Sequence, residues 1–302
     1  MKEFNPSLLK NLYKPPADSH KGQNGKLMII GGSKLFHAAS LWALKVASRI
    51  VDMVYYSSVD ENNQIVKSAK EEFRDGIVVK RSDIDSYIQE ADCVLIGPGL
   101  PRPEGQEPGD DDTKELTERL LKKYPNKKWV IDGGSLQTMN PKLIAPNAIL
   151  TPHQKEFEKL FRVSEDRGQR TEDSMRKTED RNLSSVVSAI SHLSSVVNHL
   201  AKEYNCTILL KGHTDIVCSS KECVKVEGGN AGMTKGGTGD VLAGLVAALY
   251  CKNDAFLSAC AGSYINKKAG QQLFERVGYY FNASDLADEI PKVMKKYIIG
   301  SK

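Results

Sequence analysis

Short apolar runs recur along the chain, and most are followed by a turn and then by a helical pattern. "KLMIIGGS" (26–33) is apolar at consecutive positions, as expected of a strand buried on both faces, and residues 38–51 then show helical spacing. Further runs of this kind are "DMVYYSSV", "GIVVK", "ADCVLIGPG", "KWVIDGGS", "NAILTPH" and the two strands around a turn in "NCTILLKGHTDIVCS". Strands that alternate with helices predict an α/β fold, a central mostly parallel sheet flanked by helices on both faces.

Glycine-rich or polar motifs follow these predicted strands. In open parallel sheets, ligands bind beyond the carboxyl ends of the strands. We therefore expect the motifs to converge on one edge of the sheet and to form a binding site there.

Three segments differ from this pattern. Residues 164–182 are rich in charge and poor in apolar positions, which predicts an exposed, charged insertion. Residues 183–202 contain a near repeat at helical spacing, which predicts one amphipathic helix whose histidines are surface residues rather than ligands. "LPRPEGQEPGDDDTK" (100–114) predicts a long exposed loop. No linker divides the chain, so we expect one domain over 1–302, with 1–20 as an N-terminal extension.

Composition and charge narrow the class of protein. With 40% hydrophobic and 26% charged residues, the 302-residue chain has the composition of a globular protein. A scattered net charge of +4 gives no reason to expect nucleic-acid binding. No stretch is long and apolar enough for a membrane span, so we expect a cytoplasmic protein with no membrane partner. Cys93, Cys206 and Cys260 lie in apolar runs and are expected to be reduced core residues.

The stretch "NAGMTKGGTGDVLAGLVAALY" (230–250) combines a glycine-rich loop, an acid and an apolar helix. One interpretation is a tight turn whose Asp240 caps the helix. The other is an anion cradle, in which loop N–H groups and the helix N-terminus bind phosphate while Asp240 takes a proton from an attacking hydroxyl. The stretch is not a P-loop, because its lysine precedes the glycines. The residues alone leave both interpretations open.

Six blocks in order carry a resemblance to a known family. "TKGGTGDVLAG" resembles the anion-hole and catalytic-aspartate motif of the ribokinase-like superfamily. Together with "HKGQNGKLMIIGGS", "IGPGL", "VIDGGSL", "ILTPHQKEF" and "LLKGHTDIV", it is similar to the ADP/ATP-dependent NAD(P)H-hydrate dehydratase family. The similarity runs from about His20 to the final helices, apart from the 164–200 region.

The resemblance implies a role for individual residues. Asp240 matches the catalytic acid of the family and also contacts its substrate, the hydrated nicotinamide dinucleotide (NADHX or NADPHX). The other residues matched to the dinucleotide are Ala39, Gly99 and His153. Those matched to the nucleotide are Lys211, Gly212, His213, Thr214, Asp215 and Gly239. Those matched to the phosphates or the anion hole are Asn230, Thr234, Gly236, Gly237 and Thr238. No residue is assigned to a metal.

Simpler explanations exist for several of these residues. His153 could cap the helix that follows it, and Lys211 could be an ordinary solvated lysine. Asp132 could hold a metal-bound water or cap a turn. Gly97 and Gly99 could serve only the turn around Pro98.

The resemblance implies a metabolite repair reaction. The expected activity is ATP- or ADP-dependent dehydration of NADHX or NADPHX, with Mg²⁺, through phosphorylation of the ring hydroxyl. The alternatives are a kinase of the same superfamily acting on a vitamin-precursor alcohol and a non-catalytic nucleotide-binding protein. The resemblance also implies a homo-oligomer and a separate epimerase as a functional partner.

Overall fold

The computed structural model describes residues 1–68, 76–162 and 183–300, with the backbone alone for 183–192. Ten strands lie in this part of the chain. They are β1 (Lys2–Glu3), β2 (Lys26–Ile30), β3 (Met53–Ser57), β4 (Ile77–Val78), β5 (Cys93–Ile96), β6 (Lys128–Ile131), β7 (Ile149–Leu150), β8 (Thr207–Leu210), β9 (Asp215–Cys218) and β10 (Cys223–Val226). They form one sheet in the order β1-β10-β9-β8-β7-β6-β5-β2-β3-β4.

The sheet is mostly parallel, as the sequence predicts. Strand β2 pairs in parallel with both β3 and β5, and the parallel pairing continues through β6 and β7 to β8. Strand β9 runs antiparallel to β8 and β10. The carboxyl ends of β2, β3 and β5–β8 therefore lie at one edge of the sheet, where β9 begins.

Helices cover both faces of the sheet. They are α1 (His37–Ala47), α2 (Asp60–Ser68), α3 (Ile84–Glu90), α4 (Thr113–Lys123), α5 (Gly133–Thr138), α6 (Gln154–Phe161), α7 (Leu183–Glu203), α8 (Thr238–Tyr250), α9 (Ala255–Val277) and α10 (Ala283–Met294). Helices α1, α8, α9 and α10 share one apolar cluster with the sheet, and α3–α7 share the other. Alternate residues of β2 supply both: Leu27 and Ile29 face the first cluster, and Met28 and Ile30 the second.

Helix α8 is the most deeply buried helix among those near the predicted site. Its residues are apolar around the whole circumference, as expected of a helix enclosed by other elements. A Cβ at Gly244 would lie 2.6 Å from the backbone of Ala43, so glycine allows α8 to pack closely on α1. The rigid packing of α8 fixes the position of its first turn.

Two strands and a disulfide were not anticipated from the sequence. Strand β1 pairs with β10, and Leu9 of the following 3-10 turn is fully buried, so the N-terminal extension joins the sheet and the core. A disulfide between Cys218 and Cys223 links β9 to β10. Cys93, Cys206 and Cys260 are free and buried, as predicted.

The other predicted segments have mixed outcomes. Helix α1 ends at Ala47, four residues before the predicted end, and α7 matches the predicted helix over 183–202. The predicted loop 100–114 is largely exposed, but α4 already begins at Thr113. The predicted insertion 164–182 lies outside the described residues. Within the described residues, none of the helices has the length and apolar character needed to cross a membrane.

Candidate active site

The predicted motifs lie together at the edge where the parallel strands end. Gly31 follows β2, Gly97 follows β5, Asp132 follows β6 and Lys211 follows β8. An additional parallel bridge between His153 and Lys211 continues the pairing of β7 with β8 beyond the strands, in the same register. Chain segments distant in the sequence thus bring Asp132, Glu156 and Lys211 together, and the first turn of α8 lies beside Lys211.

Asp240 is the third residue of α8 and is partly buried. The N-cap of the helix is Gly237, whose φ is +93°, so the interpretation of Asp240 as an N-cap is wrong. Burial raises the pKa of the Asp240 carboxyl from 3.8 to about 7, and the negative charge of Asp132 adds to the effect, while Lys211 opposes it. A carboxyl group that titrates near neutral pH is suited to accept a proton from a hydroxyl.

Lys211 is the central cation of the site. Its Nζ donates a hydrogen bond to Asp132 Oδ1 at 2.9 Å and lies 3.9 Å from Glu156 Oε2. Only 18% of its side chain is exposed, so the interpretation as a solvated lysine is wrong. Burial favours the neutral amine, but the carboxylates of Asp132 and Glu156 outweigh it and raise the pKa of Lys211. The ammonium is therefore charged at neutral pH.

Asp132 precedes α5 but makes no side-chain capping bond to it, so the prediction of a turn cap is not met. Its Oδ1 accepts both the Lys211 bond and a bond of 2.8 Å from Thr151 Oγ1. Within the described residues, no donor bonds to Oδ2. The buried carboxylate thus has one oxygen available for a cation or a water molecule.

His153 caps α6, as one of the two interpretations predicts. Its Nδ1 accepts a bond of 3.2 Å from the Glu156 N–H, and Glu156 Oε2 accepts one of 2.9 Å from the His153 N–H. Burial and the charge of Lys211 lower the pKa of His153, so the ring is neutral at pH 7. The side chain remains 47% exposed, and its contact with the dinucleotide stays a prediction.

Glu156 is a site residue that the sequence analysis missed. It is buried, and burial raises the pKa of its carboxyl. The available signal was its spacing, because a glutamate three residues after an N-cap forms a capping box. Through that box, Glu156 connects the position of His153 to that of Lys211.

The glycines after β5 allow backbone segments to pack at unusually short range. A Cβ at Gly97, where φ is +118°, would lie 1.8 Å from the carbonyl oxygen of Asp132. At Gly99, where φ is +70°, it would lie 2.6 Å from the Phe36 oxygen and 2.9 Å from the Ala39 Cβ. These glycines therefore do more than form the turn around Pro98. They bring two residues predicted to bind the dinucleotide, Ala39 and Gly99, into contact.

The side chains of the predicted anion hole are bonded to the loop itself. Asn230 accepts from the Gly232 N–H at 2.9 Å and donates to the Gly270 oxygen at 2.7 Å. Thr234 Oγ1 donates to the Ala231 oxygen, and Thr238 Oγ1 to that of Met233. These side chains shape the loop, and the binding of an anion by its backbone N–H groups stays a prediction.

The glycine positions of the loop favour such backbone contacts. At Gly236, an added Cβ would have no heavy atom within 4 Å, so the backbone faces open space. Gly239 lies in the first turn of α8, where N–H groups lack helical acceptors, and its added Cβ would lie 3.5 Å from Lys211 Nζ. At Gly237, the rings of Trp42 and the methyl of Ala283 occupy the space of a side chain. Of these glycines, Gly239 is the one that lies beside Lys211.

The segment 211–214 connects β8 to β9, and Asp215, the first residue of β9, is bonded to it. Asp215 is buried and accepts bonds from the Gly212 N–H at 2.9 Å and from Ser263 Oγ at 2.7 Å. Lys267 Nζ lies 3.2 Å from Asp215 Oδ1 and donates to the carbonyl oxygens of Gly212 and His213. The two carboxylate oxygens of Asp215 thus help to hold the loop, and the contact of this segment with the nucleotide stays a prediction. His213 and Thr214 remain accessible for it.

Lys267 is another residue of this region that the sequence did not reveal. It lies on α9 and is 6% exposed, and a lysine is rarely buried so deeply unless an acid pairs with it, as Asp215 does here. Its signal was a charged residue within an apolar helical pattern, but the partner, Asp215, could not be identified from the sequence spacing.

A parallel sheet covered by helices on both faces, with a glycine loop, an acid and a helix N-terminus at its edge, matches a ribokinase-like fold. A solved structure described as a ribokinase-like superfamily protein from Enterococcus faecalis V583 superimposes with a TM-score of 0.72 and 22% identity, covering 98% of this chain and 96% of that one. The fold is thus ribokinase-like.

The chain belongs to the NAD(P)H-hydrate dehydratase family, because the sequence model of that family matches residues 27–292. An "ADP-dependent (S)-NAD(P)H-hydrate dehydratase" of Nitrosopumilus maritimus is 32% identical over 294 residues, 92% of this chain and 91% of that protein. A "Bifunctional NAD(P)H-hydrate repair enzyme Nnr" of Methanocaldococcus jannaschii is 36% identical over 296 residues, which cover 95% of this chain. The match covers 51% of that relative, so the chain spans about half the length of the bifunctional protein.

A solved ADP/ATP-dependent NAD(P)H-hydrate dehydratase from Bacillus subtilis, co-crystallized with ATP/Mg²⁺, has the same fold. It superimposes with a TM-score of 0.74 at 20% identity, over 98% of both chains. A hydroxyethylthiazole kinase from Pyrococcus horikoshii also superimposes, with a TM-score of 0.54 and 14% identity, over 90% of this chain and 89% of that one. The fold is therefore shared by a dehydratase and a kinase and does not by itself separate the two activities.

Proposed function

We propose that the protein dehydrates NADHX and NADPHX at the expense of ATP or ADP, a metabolite repair reaction. The observation that carries the proposal is Asp240, a partly buried acid with a pKa of about 7 at the start of α8, beside a loop of accessible backbone N–H groups. Membership of the family supports NADHX and NADPHX as substrates, and the name of the ADP-dependent relative supports a nucleoside phosphate as co-substrate.

Asp240 begins the reaction in this mechanism. Its carboxylate takes the proton of the hydroxyl group on the hydrated ring while that oxygen attacks the terminal phosphorus of the nucleotide. The new O–P bond forms as the bond to the bridging oxygen breaks, which releases ADP from ATP or AMP from ADP. The substrate now carries a phosphate ester, a far better leaving group than hydroxide.

The ring then completes the dehydration. The lone pair of the ring nitrogen assists cleavage of the C–O bond, and phosphate leaves with the bonding electrons. Loss of a proton from the neighbouring ring carbon restores the double bond of the dihydronicotinamide. The oxygen of the added water thus leaves as part of the phosphate. In the overall reaction the substrate is dehydrated and the nucleotide is hydrolysed.

Backbone groups and Lys211 stabilise the negative charge that develops during transfer. In this mechanism the N–H groups of Gly236 and Gly239 donate hydrogen bonds to the transferring phosphoryl group. The Lys211 ammonium, held by Asp132 at 2.9 Å, adds a fixed positive charge on the same side. Because its position is fixed before the reaction, little reorganisation is needed in the transition state.

The residues present fit a magnesium ion bound mainly through the nucleotide. Within the described residues, no three acidic, histidine or cysteine side chains cluster closely enough to hold a metal by themselves. Asp132 keeps one carboxylate oxygen without a donor, and Mg²⁺ commonly uses one or two carboxylates together with phosphates and water. When bound, the ion would neutralise charge on the nucleotide phosphates.

Product analysis tests the proposal against the kinase alternative. The protein is incubated with NADHX and ATP, and separately with hydroxymethylpyrimidine or hydroxyethylthiazole alcohols and ATP. The dehydratase predicts free phosphate and NADH with the first substrate and no phosphoester with the alcohols. A stable phosphoester of an alcohol, with NADHX left unchanged, would establish the kinase instead. Absence of any turnover would favour a non-catalytic nucleotide-binding protein.

Two partner predictions belong to the same proposal. The bifunctional names of several relatives, which are about twice as long, support a separate epimerase that supplies the correct form of the substrate to this chain. We also propose that the protein forms a homo-oligomer. Sedimentation of the purified chain, alone and with a candidate epimerase, tests both.

A further inference from the structure

The loop that begins at Gly99 forms the rim of the predicted dinucleotide site. Its backbone is anchored directly before Arg102, because Leu100 is buried and Thr113 Oγ1 donates to the Pro101 oxygen at 2.6 Å. The Arg102 oxygen accepts from the Gly105 N–H at 3.0 Å. The backbone of Arg102 is therefore fixed three residues after Gly99, which contacts Ala39 and Phe36.

Three of the five acids in residues 99–112 of this loop are engaged by other groups. Asp110 accepts from the N–H groups of Lys34 and Glu107, each at 3.0 Å. Asp111 forms an ion pair with Arg81 at 2.6 Å, and Asp112 caps α4. None of these three carboxylates is available to neutralise Arg102.

Arg102 is exposed and, within the described residues, makes no ion pair. Its charge acts at the site: burial and Lys211 lower the pKa of His153, and Arg102 lowers it further. Phe36, whose backbone oxygen lies at the contact with Gly99, exposes 50% of its surface. The loop thus carries an exposed, unpaired guanidinium three residues after the glycine that packs against Ala39 and Phe36, two positions beside the predicted dinucleotide site.

We propose that the guanidinium of Arg102 binds a phosphate of the dinucleotide substrate. The inference rests on the proposed function and names a residue that determines affinity for that substrate. Every form of the dinucleotide carries a pyrophosphate, and the NADPH form carries a further phosphate on the ribose. A planar guanidinium with five N–H donors binds either through paired hydrogen bonds. Because Arg102 makes no ion pair in the free protein, binding the phosphate breaks no existing one.

The test compares Arg102→Gln and Arg102→Lys with the wild type on NADHX and NADPHX. We expect KM for the dinucleotide to rise roughly 10-fold or more in Arg102→Gln, with kcat and KM for ATP within about threefold. Arg102→Lys keeps the charge but loses the paired geometry, so an intermediate KM is expected. A matched control is Lys142→Gln, which removes an exposed cation from a turn far along the chain and should change nothing.

The two dinucleotides distinguish the two phosphates. An equal rise of KM for both assigns the pyrophosphate, and a rise confined to NADPHX assigns the ribose phosphate; either result supports the proposal. Dinucleotide KM values within twofold of the wild type would overturn it, as would an equal rise of KM for ATP, since Arg102 would then act on the other nucleotide.

Calorimetric titration separates this inference from the proposed function. NADPHX is titrated into wild type and Arg102→Gln without ATP, and weaker binding to the variant is expected whether or not turnover occurs. Wild-type binding without turnover would count against the proposed function while leaving the Arg102 contact supported. Equal binding by both proteins would overturn the Arg102 contact alone.

Discussion

Replacing Asp240 by asparagine should stabilise the protein and, at the same time, nearly abolish turnover. The native pKa of about 7, against an ordinary 3.8, means that the folded protein holds this carboxylate in an unfavourable environment. A shift of that size corresponds to a penalty on the order of 4 kcal/mol for the charged form. Because Asp240 retains partial contact with solvent, we expect a gain of roughly 2–4 kcal/mol in the free energy of unfolding, and a melting temperature several degrees higher.

The pH dependence of this gain has a defined sign. Between about pH 4 and 7, the native carboxyl remains protonated while the unfolded one has lost its proton. The wild type therefore loses stability relative to Asp240→Asn as the pH rises through this window, and the difference is constant above it. The melting temperatures of the variant and the wild type should be similar near pH 4, and that of the variant should be well above that of the wild type near pH 8.

Thermal melts without nucleotide, paired with turnover at pH 8, measure both effects. Loss of the base should lower turnover by about 10²-fold or more, with nucleotide affinity within several-fold. Asp254→Asn is the matched control: Asp254 caps α9 by accepting from the Leu257 N–H at 2.8 Å, and asparagine caps equally well. An Asp240→Asn variant with wild-type stability at pH 8, or with near-normal turnover, would refute the reasoning.

Three further predictions concern the surroundings of Asp240. Gly239→Val should fold normally yet lose nucleotide binding in calorimetry, because its side chain would lie against Lys211 Nζ where phosphate must approach; normal ATP and ADP affinity would contradict this. Gly237→Ala should lower the free energy of unfolding by roughly 1–2 kcal/mol or more, because φ is +93° and Trp42 blocks the Cβ; an unchanged denaturation midpoint would count against it. Lys211→Met removes a charge that lowers the pKa of Asp240, so any residual activity should require a higher pH; an acidic limb at the wild-type pH would be inconsistent.

The sequence was sufficient for the sheet and for the edge where the motifs meet. Runs such as "KLMIIGGS" are apolar on consecutive residues, which is typical of a strand covered on both faces. The turns after these runs locate the carboxyl ends of the strands. Strands β1 and β10 escaped detection because β1 has two residues and β10 alternates polar with apolar positions near an edge. The pairing of β1 with β10 joins residues more than 200 positions apart, which a local pattern does not encode.

The sequence located the motifs of the site, but it did not show which side chains pair with one another within the site. The glycine loop and Asp240 could be located, yet the sequence left open whether Asp240 caps the helix, since this depends on where α8 begins. The buried pairs Lys211–Asp132 and Lys267–Asp215 join residues about 50 to 80 positions apart, so no spacing rule reveals them. For the same reason, the bonds that both carboxylate oxygens of Asp215 accept within the protein could not be predicted from the sequence.

Recovery of reduced nicotinamide is the most direct test of the central claim. NADHX is incubated with the protein and limiting ATP or ADP, and the absorbance of NADH is followed together with free phosphate. We predict one NADH and one phosphate for each nucleotide consumed, with no comparable signal from Asp240→Asn. Nucleotide consumption that leaves a phosphorylated dinucleotide and restores no absorbance would contradict the account, as would recovery of NADH without any nucleotide.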